Sequence, residues 1–265
     1  MNVVTLGPNG TFSHQLAREA FGDGIVLVPT IGEIFSEVEK NAISGLIPLE
    51  NSEAGGVGPS LDGLVRHNVF ITGELFMPVH HYLVSSGPEK GIKVLYAHPQ
   101  THEQCSRVIE ALGAEVIHTS SNAASAREML KNPGSGAIVS KYLADSQGLP
   151  VIKAHVEDNP DNTTRFVVIS TDRGTSGDAE KCSIIIDPER DRPGLLYEIL
   201  GIFAKKKINL TRIESRPSRR GIGSYVFFID FERTSSCREA MKELKTITSV
   251  KNLGCYRKIE VRLWK

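Results

Sequence analysis

An α/β protein of two lobes, with a smaller β-α-β-β-α-β module behind them, is what this sequence predicts. Three observations carry that reading. β-Rich runs alternate with helical stretches over the first part of the chain, the alternation starts afresh near His80, and the order of elements changes after a polar, glycine-bearing segment at residues 172–178. The 265 residues, 40% of them hydrophobic, suffice for a sizeable core and favour two domains over one.

Taken in order, Val3 to Leu6 reads as a strand, followed by a helix near Ser13 to Phe21, a strand from Ile25 to Val28, a helix near Ile31 to Lys40 and a strand at Gly45 to Leu49. That is the pattern of a largely parallel sheet covered by helices on both faces. The second set runs from His80–Val84 through Val94–Ala97, a helix near His102 to Leu112, Ala114–His118, a helix near Ala123 to Lys131, and Ala137–Val139. Two such lobes imply a cleft between them. Asp172 to Asp178 has no apolar period and reads as an interdomain linker. Beyond it come strand Cys182–Ile186, helix Leu195–Lys206, strands Asn209–Ser215 and Ser224–Phe231, helix Cys237–Lys245 and strand Val250–Val261. This is the ferredoxin-like order.

Composition narrows the function. Thirty-one Lys and Arg balance 31 Asp and Glu, and no run of like charges suggests a nucleic-acid arm. No stretch has the uninterrupted apolar length of a membrane span, and the start enters a strand without a basic n-region, so a cytoplasmic protein is expected. Cys105, Cys182, Cys237 and Cys255 are scattered without a CxxC pair, which reads as reduced packing thiols and not as a disulfide framework or zinc site. His80 and His81 are adjacent; on a strand they would point to opposite faces, so they should not share a metal.

The densest chemistry lies at residues 158–166. There Thr163-Thr164-Arg165-Phe166 precede the apolar run Val167-Val168-Ile169. An arginine can hold a carboxylate with a two-pronged bond, and neighbouring hydroxyls can donate to the same ligand. Alone, the segment fits a capped strand end with a solvated arginine better than a ligand site. Arg192-Pro193-Gly194 supplies a turn whose free N–H groups at a helix start suit a carboxylate.

Taken with Leu6-Gly7-Pro8-Asn9-Gly10-Thr11-Phe12-Ser13, Ile47-Pro48-Leu49-Glu50-Asn51-Ser52, His98-Pro99-Gln100, Gln104-Cys105 and Glu214-Ser215-Arg216-Pro217, these segments resemble prephenate dehydratase followed by an amino-acid-sensing ACT domain, over essentially the whole chain. The resemblance implies a type II periplasmic-binding-protein-like catalytic part at residues 1–172. One lobe would be 1–75 plus 155–172 and the other 76–154, with a linker at 173–180 and the ACT domain at 181–265. It implies a monofunctional lyase that makes phenylpyruvate from prephenate without cofactor or metal. Thr164 would donate to the departing hydroxyl, with Asn51 and Gln104 as further catalytic residues; Arg165 would anchor a carboxylate, aided by Thr163, Phe166, Thr11, Ser13 and Ser52. Where relatives are expected to carry serine before His-Pro-Gln, this chain has Ala97, so that hydroxyl is dispensable or Thr101 replaces it.

The same resemblance implies L-phenylalanine as an allosteric inhibitor, held between paired ACT domains by Gly194, Leu195, Leu196, Asn209, Glu214, Ser215, Arg216 and Pro217. A homodimer or homotetramer follows. Arogenate in place of prephenate, a solute-binding protein and a non-catalytic amino-acid sensor are the competing readings.

Overall fold

A computed structural model describes residues 2–174, 177–189, 192–221 and 223–261. The first lobe runs through β1 (Val3–Leu6), α1 (Phe12–Phe21), β2 (Ile25–Val28), α2 (Ile31–Asn41), β3 (Ser44–Asn51), the short β4 (Gly55–Gly56), α3 (Gly58–Arg66) and β5 (Phe70–Pro78). The second holds β6 (Tyr82–Ser85), β7 (Val94–Ala97), α4 (Pro99–Gln104), α5 (Ser106–Leu112), β8 (Glu115–His118), α6 (Asn122–Lys131), β9 (Gly136–Val139), α7 (Lys141–Ser146) and β10 (Val151–Lys153). The chain then returns to the first lobe as β11 (Thr163–Ser170). The last module comprises β12 (Lys181–Ile186), α8 (Leu195–Lys205), β13 (Leu210–Pro217), β14 (Tyr225–Glu232), α9 (Cys237–Ile247) and β15 (Val250–Lys258), in the expected β-α-β-β-α-β order.

Local chemistry sets the helix starts. Thr11, Thr30, Ser121 and Ser140 sit in extended backbone, and each side-chain oxygen accepts from the N–H three residues on, capping α1, α2, α6 and α7. Glu33 accepts from the Thr30 hydroxyl at 2.9 Å, adding a second bond at the start of α2. The single helix expected near His102 to Leu112 is two. Pro99 starts the first, and the backbone breaks at Cys105, where the Asp158 carboxylate takes the Ser106 hydroxyl at 2.6 Å and the Arg107 N–H at 3.2 Å and so begins a new helix.

The first lobe and the last module share one sheet, in the order β13-β14-β12-β15-β5-β11-β3-β1-β2, with β4 beside β3; the second lobe has its own sheet, β10-β6-β9-β7-β8. Instead of hanging from a linker, the last module adds β15 parallel to β5, pairing Arg257 with Gly73 and Lys258 with Glu74. Gly73 permits this, since a Cβ there would meet Ile259 at 2.5 Å. Apolar residues from both parts, among them Ile71, Val167, Ile185, Phe228 and Tyr256, form one buried cluster.

Two of the cysteines correct the sequence reading. Cys182 on β12 and Cys255 on β15 are cross-strand partners and form a disulfide, while Cys105 and Cys237 are free. Register between strands far apart in the chain brings the sulfurs together, and spacing along the sequence carries no trace of it.

Candidate active site

Between the lobes lies a cleft of 410 Å³ lined from one side by Pro8, Thr11, Phe12, Ser13, Asn51 and Thr164 and from the other by His81, His98, Thr101, Gln104, Ser121 and Asn122. The starts of α1 and α6 thus face it from opposite lobes. A helix start carries unpaired N–H groups and the positive end of its dipole, so two of them make a receptor for negative groups. Among the described residues no lysine or arginine lines the cleft. Its histidines add little charge either: burial pushes the His81 pKa down, and burial with the nearby His118 does the same for His98.

The side chains are arranged so that donors remain free. Asn51 Nδ2 donates to Asn162 Oδ1 at 2.7 Å and to Thr164 Oγ1 at 3.0 Å, while Asn51 Oδ1 accepts from the N–H groups of Glu53 and Ala54. Thr164 therefore accepts from Asn51 and keeps its own proton for the cleft. His81 Nε2 lies 3.0 Å from Gln104 Oε1; the neutral ring donates there and leaves the Gln104 amide N–H groups available. Thr101 Oγ1 donates to Asn122 Oδ1 at 2.8 Å, which frees the Asn122 amide in the same way. Thr11 caps α1 and also donates to Leu6 O at 3.3 Å, and Ser13 is buried at the cleft wall. Ala97 is fully buried at the end of β7 and does not reach the cleft, whereas Thr101 does. His81, Ser121 and Asn122 escaped the sequence reading. Ser121-Asn122 ahead of Ala123-Ala124 is a helix-start signal that marks two of them, while His81 is identified only by Gln104.

Four predicted substrate contacts lie elsewhere. Arg165 points away from the cleft and is 4% exposed: Nε donates to Glu74 at 2.8 Å, Nη1 to Glu50 at 2.9 Å and Asp230 at 2.6 Å, and Nη2 to Tyr256 at 2.9 Å. Successive residues on a strand face opposite sides, so Thr164 and Arg165 cannot both meet one ligand. Burial opposes the Arg165 charge, but Asp230, Tyr256 and Glu74 outweigh it and raise its pKa. Lys181 on Glu74 and Arg212 on Glu50 extend this network, and Arg212 also pairs with Glu214. Phe166 returns to the cleft's side of the strand but is buried in the core with Leu16, Leu46 and Leu75. The Thr163 hydroxyl donates to Asp161 O, and the Ser52 hydroxyl accepts from Thr163 N, so both serve the turn into β11.

Residues 3–174 match the family described as prephenate dehydratase, and residues 189–248 match the ACT domain. The chain belongs to the prephenate dehydratase family. It is 35% identical to the prephenate dehydratase of Methanocaldococcus jannaschii, covering 95% of this chain and 96% of that one, and 35% identical to the bifunctional chorismate mutase/prephenate dehydratase of Pseudomonas aeruginosa, covering 97% and 73%. The crystal structure of prephenate dehydratase from Arthrobacter aurescens in complex with L-Phe superimposes with a TM-score of 0.87 at 29% identity, covering 99% of this chain and 92% of that one.

Within this family member's ACT domain the predicted ligand residues form two groups. Gly194, at φ 83°, opens α8 without a side-chain cap; Leu195 beneath it is buried and Leu196 partly so. On β13 the faces alternate. Arg212, Glu214 and Arg216 turn toward the first lobe, where Arg212 pairs with Glu50 and Arg216 approaches Asp62 at 3.4 Å, while Ile213, Ser215 and Pro217 are exposed. Asn209 bonds Glu232 at 2.9 Å. Among the described residues no hydrogen bond links the α8 start to β13. Because β13 ends its sheet, its outer edge is available to another strand.

Proposed function

We propose that the cleft binds prephenate and catalyses its conversion to phenylpyruvate, carbon dioxide and water, and that L-phenylalanine held by paired ACT domains lowers this activity. Membership in the family over residues 3–174 supplies the reaction class. The observation that supports the site assignment is Thr164, whose hydroxyl accepts from Asn51, leaving its own proton for a cleft bounded by two helix starts.

In the reaction the bond from the ring to its carboxylate breaks, its electron pair enters the ring, and the hydroxyl opposite leaves with a proton as water. The ring becomes aromatic, so the enzyme's task is to hold a dianion and stabilise the departing oxygen. Helix starts and neutral amides can hold two carboxylates without the deep trap that a buried arginine would create. Thr164 donates to the leaving oxygen and Gln104 orients the ring. A threonine hydroxyl is a weak free acid, so its part is a hydrogen bond that strengthens in the transition state.

Regulation by L-phenylalanine rests on the ACT match and the L-Phe complex of the Arthrobacter relative. The exposed edge of β13 with Ile213 at 46%, and Tyr197 and Tyr225 at 81% and 44%, favours a homodimer through the ACT domains, with a tetramer built from two such pairs. Purified protein mixed separately with prephenate and arogenate tests the reading: phenylpyruvate absorbance should grow with prephenate. Phenylalanine formed faster from arogenate would reassign the substrate, and no product from either would leave a binding protein.

A further inference from the structure

The two segments that cross between the lobes bring together side chains that the cleft does not use. His80 follows β5 on the outward crossing, and His155 and Glu157 lie on the return toward β11. His80 Nδ1 is 2.7 Å from Glu157 Oε1, His155 Nδ1 is 3.3 Å from the same oxygen, and one ligand atom from each of the three residues lies within 4.8 Å of the others. An ion held tetrahedrally at about 2.0–2.1 Å from nitrogen and oxygen separates its ligand atoms by about 3.3 Å. The observed spacings need only small side-chain adjustments to reach that geometry.

We propose that His80, His155 and Glu157 bind one divalent cation of the zinc class across the two crossings. The surrounding groups support ligation. Glu157 Oε2 accepts the His81 N–H at 2.8 Å, which holds the carboxylate in place with Oε1 toward the two rings. His155 Nε2 lies 3.3 Å from Tyr82 Oη. A ring that ligates through Nδ1 carries its proton on Nε2, and in His155 that Nε2–H is placed to donate to Tyr82. The His80 side chain is 37% exposed, so water can accept the proton that its Nε2 then carries. The Glu157 side chain is 2% exposed and His155 58%, so the carboxylate is anchored while the ring side admits the ion and leaves a fourth position for water. Two imidazoles with one carboxylate select zinc, nickel or copper over magnesium and calcium. His81 takes no part: its ring turns to Gln104, so the partner of His80 is 75 residues away on the other crossing. An ion here ties the outward crossing to the return.

Calorimetric titration of the full chain, first stripped with a chelator, tests the site with Zn²⁺ and with Mg²⁺ as the control. One Zn²⁺ per chain should bind, Mg²⁺ should not, and His80→Ala and His155→Ala should each weaken Zn²⁺ at least tenfold. The other close imidazole pair, His102 Nδ1 and His118 Nε2 at 3.0 Å, is the competing location, so His102→Ala should leave this affinity unchanged. Circular dichroism melts establish that each variant is folded, and His155, being mostly exposed, is the substitution the fold tolerates best. Absence of Zn²⁺ binding, binding unaltered in both His80→Ala and His155→Ala, or binding lost only in His102→Ala would overturn the proposal.

Discussion

Thr164 and Arg165 are joined by one peptide bond and work on opposite faces of β11. Replacing Thr164 with alanine should leave folding intact and lower kcat by about 10² or more, the cost of a donor whose bond strengthens in the transition state. Arg165→Ala should act on stability: stripping its cation from Glu74 and Asp230 costs about 3–5 kcal/mol. Urea unfolding should show a lower midpoint while the folded protein keeps its KM for prephenate; a raised KM at unchanged stability would return Arg165 to the cleft. Ala97→Ser, at a buried position outside the cleft, should change kcat less than about tenfold, or about 1.4 kcal/mol. Thr164 was legible as a candidate because hydroxyls gathered beside a strand end mark α/β clefts, whereas Asn51 and Gln104 were identified only through the resemblance to prephenate dehydratase. The strand alternation that separates Thr164 from Arg165 was legible too. The partners that claim Arg165 were not: Asp230 and Tyr256 lie 65 and 91 residues away.

At the scale of elements, the clearest sequence signals were local. Thr30 followed by Glu33, and the serines ahead of α6 and α7, are local helix-start signals, although α7 itself was not expected from the sequence. What depends on pairing between distant strands was hidden, above all the disulfide between Cys182 and Cys255, 73 residues apart. Thiol titration of the unreduced protein in denaturant should therefore give two reactive cysteines, Cys105 and Cys237, rising to four after reduction. Four without reduction would restore the reading from spacing. The break at Cys105 was equally hidden, because the Asp158 that caps α5 comes from the return crossing.

Over the whole molecule, both lobes and the order of the last module follow from alternation in the sequence, but their union into one sheet does not, since two residue pairs of β15 and β5 join them. A chain cut between residues 172 and 178 would bare the β5 edge and leave Arg165 without Asp230 and Tyr256, so such a fragment should unfold more readily than the parent and is a poor test of regulation. Ser215→Ala is a better one, because Ser215 lies on the exposed face of β13: it should raise the L-phenylalanine concentration for half inhibition without altering KM. Inhibition acting through the ACT domain has a physical route, since Arg212 on β13 grips Glu50, next to Asn51, and Glu50 grips Arg165, next to Thr164. We propose that Thr164 stabilises the departing hydroxyl of prephenate in the cleft. The most direct measurement is a single turnover of prephenate by the parent and by Thr164→Ala, with binding measured on both by calorimetry. Binding should be nearly equal, and the variant should release phenylpyruvate about 10² or more times more slowly; equal rates, or no phenylpyruvate from the parent, would remove Thr164 from this role.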